Sequence, residues 1–279
     1  MSPAEWFATH RILGLRHSWE SATPCGETPP TPLFTLQLIG TDDQAYESQD
    51  GGMAAENLLN TSLIDSHLMR EAPWSEGHGA APGHLGGGML YYALTHLLCA
   101  KRCVCIGSGG GFVPRLMRQA QRDLLRAGVL EEAETHLIDA NLPQSGWGSP
   151  HWLDDDSFFR RQFPDVTLHL RRSDEALPSF APGSVDYVHV DGDHSYGGCR
   201  RDFELSLPLL TERGVITLHD TSLHEQERSC GVHRVVNELR RSRRIDVIDL
   251  PLVGRGVAIV RPRPRQVGRV RRFFSKLKP

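Results

Sequence analysis

Val190-Asp191-Gly192-Asp193-His194-Ser195-Tyr196 sets two carboxylates and an imidazole within four residues, and His219-Asp220 closes a later apolar run. Carboxylates and imidazoles together can hold a divalent cation or move a proton. His194 is the candidate general base, because an imidazole accepts a proton near neutral pH. Asp193 can serve as a ligand or as the N-terminal cap of a helix starting at Ser195 or Tyr196. His189-x-Asp191 with His219 or His194 is also a possible two-histidine, one-carboxylate iron triad of the oxygenase kind. That chemistry ordinarily sits on a double-stranded β scaffold.

A second group of residues reads as a binding loop. Cys103-Val104-Cys105-Ile106 runs into Gly107-Ser108-Gly109-Gly110-Gly111-Phe112, where glycine lets another molecule approach the backbone. Phe112 stands where a dinucleotide fingerprint needs its third glycine, and no Gly-Lys-Ser/Thr follows, which argues against NAD and Walker-type sites. Thr135-His136-Leu137-Ile138-Asp139 then ends an apolar run in a carboxylate able to accept both hydroxyls of a ribose. The interval from Gly107 to Asp139 exceeds the usual one of about 20 residues, so an extended helix and loop must fill it.

Such residues need strand ends to hold them. Apolar runs at 102–106, 135–139, 166–170, 185–190, 214–219, 245–250 and 256–260 have strand length, with amphipathic stretches between most of them. Val113, Leu116, Met117, Ala120, Leu124 and Ala127 form one helical stripe; 198–210 and 232–239 repeat the habit. Strand and helix in alternation predict a parallel sheet with helices on both faces. Ligands then sit at the carboxyl ends of the strands, where Asp191 and Asp220 point into one crevice.

The first 75 or so residues are irregular, and Glu56–Met69 has helical spacing. Gly77–Gly88, with His78 and His84, reads as a mobile glycine-rich loop before a helix over 89–98. Three parts are expected: a cap at 1–87, a core at 88–262 and a basic tail at 263–279. From Arg261 to Pro279 there are eight basic residues and no acidic one, so the tail could contact an anionic surface. Over the whole chain the formal charge is −3, and six cysteines lack the Cys-x-x-Cys spacing of zinc or redox sites and are expected as buried thiols. No apolar stretch spans a membrane and no secretory leader is visible, so a cytoplasmic location is expected.

Three further segments, 170–177, 183–196 and 208–220, complete a pattern that resembles the class I S-adenosylmethionine-dependent methyltransferases. The likeness is to the branch of the macrocin O-methyltransferase and cephalosporin-biosynthesis methyltransferase types, over about residues 88–260. It implies an α/β fold, a Rossmann-like, doubly wound, mostly parallel seven-stranded sheet with an N-terminal cap. It also implies S-adenosylmethionine as cofactor, bound by Gly107, Ser108, Gly109, Gly111, Asp139, Ser173, Asp174 and Asp191, with Ser173 and Asp174 at the adenine. A magnesium ion (Mg2+) is implied at Asp191, His219 and Asp220, with His194 and Asp191 catalytic. Trp147 and Trp152 are candidates for the pocket wall.

The expected reaction is O-methylation of a small-molecule acceptor such as a sugar or an antibiotic, with a homo-oligomer left open. A metal-independent N-methyltransferase with a histidine base, or an inactive scaffold with this fold, are the alternatives. Two positions depart from the pattern: Cys105 replaces an acid before the glycine loop, and His219 replaces a metal-binding carboxylate.

Overall fold

The computed structural model describes residues 60–140, 150–223, 230–251 and 253–263, all within one compact unit, Ala55–Pro279. The Trp147 and basic-tail expectations, and Cys25, lie outside the described residues, apart from Arg263. Seven strands form one sheet: β1 (Arg102–Ile106), β2 (Glu134–Ile138), β3 (Val166–His169), β4 (Val185–Val190), β5 (Leu210–His219), β6 (Ile245–Leu250) and β7 (Val257–Pro262). Their order is β3-β2-β1-β4-β5-β7-β6. Pairing is parallel from β3 through to β5, and β7 pairs antiparallel with both β5 and β6.

Side chains alternate across the sheet, so each strand feeds two cores. Cys103, Cys105, Leu137, Tyr187 and Val215 face one side with Tyr91 of α1 (Gly88–Leu97) and Phe112, Leu116 and Met117 of α2 (Phe112–Arg126). Val104, Ile106, Ile138, Val188 and Ile216 face the other, against Phe203 of α5 (Tyr196–Ser206) and Val232, Val235 and Val236 of α6 (Val232–Arg241). Two shorter helices, α3 (Phe158–Gln162) and α4 (Ser173–Ala176), flank β3. Burying each large apolar side chain contributes about 1.5–3 kcal/mol, and strands buried on both faces explain why the apolar runs are nearly continuous.

Four expectations are corrected. Helix α2 is buried on its polar side as well, including Arg115, Gln119, Gln121 and Asp123, while Ala127 at its end is exposed. Different segments cover it: Arg115 donates to the carbonyls of Leu68 and Arg70 before α1 at 3.2 and 2.8 Å, Asp123 accepts from the Tyr92 hydroxyl of α1 at 2.8 Å, and Gln121 donates to the carbonyls of Ala100 and Lys101 at 3.0 and 3.1 Å. Residues 60–87, expected in a cap, thus share the main core through Leu68, Ala72 and Leu85. Gly77–Gly88 is no open loop, since Ser75–His78 forms a 3-10 turn whose His78 is buried. Among the thiols, Cys103, Cys105, Cys199 and Cys230 are buried, but Cys99 is exposed.

Candidate functional site

A cavity of about 510 Å³ opens at the carboxyl ends of β1, β2, β4 and β5. The glycine loop forms one end. Gly107 has φ +71°, and a Cβ there would stand 2.4 Å from the carbonyl oxygen of Asp191, so only glycine lets β1 and β4 close beneath the cavity. Ser108 and Gly109 line it too, and the buried Ser108 hydroxyl has no hydrogen-bond partner. Asp139 follows β2 on the same wall, its backbone amide donating to the His169 carbonyl at 3.1 Å.

Two of the residues expected at the cofactor are placed elsewhere. Gly111 heads α2 at φ +77°, and a Cβ there would meet the Phe159 ring at 2.7 Å; it lies off the cavity wall and serves helix packing. Asp174 turns away to Arg172 and Arg201, at 3.1 and 3.6 Å. The acid that reaches the wall beside Ser173 is Asp202, which accepts the Ser173 hydroxyl at 2.5 Å. Burial lifts the Asp202 carboxyl to about 6, against the Ser173 bond that lowers it. Asp202 sits mid-helix in α5, and no local motif marks it.

The other end of the cavity is an unusual gathering of imidazoles around one carboxylate. Asp191 Oδ1 is 2.9 Å from His219 Nδ1 and 3.2 Å from His194 Nε2. Asp191 Oδ2 is 3.6 Å from His78 Nε2 and 3.7 Å from His189 Nε2. His194 Nε2 also lies 3.1 Å from Asp220 Oδ2, so it bridges the acids that end β4 and β5. Asp220 itself has φ +62°. Asp193 holds a turn instead of a ligand position: its Oδ1 accepts from the Ser195 amide at 2.9 Å, and Ser195 caps α5 through the Gly198 amide. Trp152 lines the cavity, as do Trp74 and Arg255, which sequence reading passed over.

Charge in this cluster follows from burial and pairing. Burial works against ionised Asp191, but the imidazoles of His219, His189 and His194 around it prevail and hold its carboxyl well below the usual range. Burial opposes the charged form of His194 too, yet Asp191 and Asp220 raise it to about 10. His78 goes the other way: burial, then the neighbouring His219, push it well below the ordinary imidazole value. In the free protein His194 is therefore a cation at neutral pH, whereas a base must be neutral.

Magnesium takes oxygen ligands in near-octahedral order. Here four imidazole nitrogens crowd Asp191, and the expected second acid is His219. The donor set does not fit the magnesium ion that the resemblance implies.

Residues 104–221 match the family model described as a methyltransferase domain. The stretch starts in β1 and ends just past Asp220, so it spans the glycine loop, Asp139, the β4 cluster and the end of β5. Over that stretch the chain is similar to methyltransferase domains. A curated relative, the uncharacterized protein y4gI of Sinorhizobium fredii, is 31% identical over 178 residues, 60% of this chain. The chain spans only 18% of that protein's length.

Solved structures share this fold. A candidate O-methyltransferase from Klebsiella pneumoniae matches with TM-score 0.53 at 17% identity, over 74% of this chain and 96% of that one. The O-methyltransferase TomG from Streptomyces achromogenes, involved in tomaymycin synthesis and solved with S-adenosylmethionine, matches with TM-score 0.50 at 18% identity, over 71% and 90%. The seven-stranded, mostly parallel sheet agrees with the expected fold, and it is not the β scaffold of the iron-oxygenase alternative. Among the described residues, no helix is long and apolar enough to cross a membrane.

Proposed function

We propose that this chain transfers the methyl group of S-adenosylmethionine to a hydroxyl oxygen of a small-molecule acceptor. The observation that carries this reading is one cavity whose wall joins Gly107, Ser108, Gly109 and Asp139 at one end to Asp191, His194 and Asp220 at the other. A nucleoside placed over the glycines, its ribose on Asp139 and its adenine toward Ser173 and Asp202, sets its sulfonium methyl facing the acid–imidazole cluster. TomG, crystallised with this donor, supports the assignment.

Transfer is an in-line displacement: the acceptor oxygen forms the new C–O bond as the C–S bond breaks, and the hydroxyl proton must leave. His194 takes that proton. The sulfonium charge of the bound donor disfavours a second cation beside it, which promotes the neutral imidazole needed for this step. Once formed, the imidazolium is held by Asp191 and Asp220 at 3.2 and 3.1 Å. A binary site of this kind needs no metal for the proton transfer itself. Five free thiols among the described residues support a reducing, cytoplasmic setting.

Calorimetry with S-adenosylmethionine tests the donor half: Asp139→Ala should weaken binding by about 1–3 kcal/mol, the scale of leaving polar groups unpaired. Mass spectrometry of isotope-labelled donor incubated with sugars, phenols and amines tests the acceptor half, with label expected on oxygen. Binding of NAD in place of S-adenosylmethionine, or label found only on nitrogen, would overturn the reading.

A further inference from the structure

The imidazoles that surround Asp191 are arranged in a way that proton transfer by His194 does not use. His78 and His189 fix their Nδ1 atoms to hydroxyls, Tyr91 at 2.9 Å and Thr217 at 2.8 Å. His219 meets Asp191 through Nδ1 at 2.9 Å, and its Nε2 is buried with no hydrogen-bond partner, as is Nε2 of His189. A buried polar atom left unpaired costs about 1–3 kcal/mol, and in native structures it calls for an explanation such as an ion. Histidines that ligate metals show this same division, one ring nitrogen tied to a hydroxyl, carbonyl or carboxylate and the other turned inward.

We infer that His78, Asp191 and His219 form a site for a borderline divalent transition-metal ion of the zinc and cobalt kind. One ligand atom from each residue lies within 4.8 Å of the other two. Two imidazoles with one carboxylate suit metals that accept nitrogen and disfavour magnesium. A dication there also offsets two buried acids, Asp191 and Asp220, whose side chains are 10% and 7% exposed. His78 comes from the turn before α1, outside the matched methyltransferase stretch of 104–221, so the metal would pin that turn to the ends of β4 and β5. The inference stands apart from the methyl-transfer reading, because it concerns what the cluster binds.

The test uses full-length, tag-free protein stripped with a chelator and titrated with Co2+, Zn2+ and Mg2+ by calorimetry, with the visible spectrum of the Co2+ form as a second readout. One Co2+ per chain should bind more tightly than Mg2+ and give ligand-field bands. His78→Gln and His219→Asp should each weaken Co2+ by at least about tenfold. His219→Asp, an oxygen-for-nitrogen exchange, should also narrow the gap to Mg2+. If circular dichroism shows that His78→Gln does not fold, His219→Asp alone decides. Co2+ binding no tighter than Mg2+, no ion bound by the folded wild type, or an unchanged affinity and spectrum in the folded variants would overturn the site. Any of these results leaves donor binding and methyl transfer to be judged by their own assays.

Discussion

His78 and His219 lie face to face, with ring centroids 4.0 Å apart and planes 26° from parallel. One ends the 3-10 turn before α1 and the other ends β5, so a stack of two imidazoles ties a segment outside the sheet to the strand end beside Asp220. Backbone bonds fix the turn from both sides: Gly87 donates to the His78 carbonyl at 2.7 Å, and Arg255 donates to the Gly77 carbonyl at 3.1 Å. The cavity is therefore closed on this side by residues that precede the first strand.

Gly107 and Gly183 have nearly the same backbone, φ +71° and +69°, but different surroundings. A Cβ at Gly183 would meet nothing within 4 Å, so Gly183→Ala should cost only the left-handed strain of about 1–2 kcal/mol. Gly107→Ala adds a clash with the Asp191 backbone, and should cost more and also weaken S-adenosylmethionine binding. Urea denaturation and calorimetry on both variants check this; equal stabilities and equal affinities would contradict the packing argument.

Arg115 is fully buried, and its guanidinium donates to the carbonyls of Gly110 and Gly111 as well as Leu68, Arg70 and Glu71. One side chain thereby joins the glycine loop to the segment before α1. Arg115→Met leaves several buried carbonyls without a donor and should destabilise by on the order of 3 kcal/mol or more. Arg115→Lys, with a single cationic donor group, should recover part of the loss. Guanidinium denaturation would show it, and a Met variant as stable as wild type would remove this clamp.

Asp202 sets a pH dependence whose sign can be worked out. Its carboxyl titrates at about 6 in the folded chain, above the ordinary 3.8. The unfolded chain therefore releases this proton first as pH rises, and the group's favourable contribution, complete below 3.8, is lost as pH climbs through 6. Asp202→Asn can still accept the Ser173 hydroxyl and carries no such loss. Its stability relative to wild type should grow by about 3 kcal/mol between roughly pH 4 and 7. Parallel denaturation curves across that range, with a constant offset, would show that the carboxyl is not perturbed.

Much of this architecture was legible along the chain. The seven apolar runs became the seven strands: the central ones are buried on both faces and need an unbroken apolar stretch, while the edge strands β3 and β6 are only partly buried. The start of β5 was misjudged most, Leu210 in place of 214, since Thr211, Glu212 and Arg213 are polar and sit at its less buried beginning, while β2 and β7 start within one residue of expectation. Gly107, Asp139, Asp191 and Asp220 could be placed because each stands just past a strand, and the ends of parallel strands share one edge of the sheet. Helix α2 was readable as a helix but not as one covered on its polar side, because what covers it comes from distant residues.

By itself, then, the sequence determined the alternation of strand and helix and the residues that stand at strand ends, since both follow from periodicity along one local segment. Only the tertiary structure decided which side chains from separate segments meet. It brought His78 against His219, put Asp202 instead of Asp174 beside Ser173, and moved Gly111 from the cavity to the packing of α2. Those outcomes rest on helix rotation, on the path of the segment before α1 and on the closeness of β1 to β4. None of these leaves a periodic trace, because each is set by contacts between residues far apart in the chain.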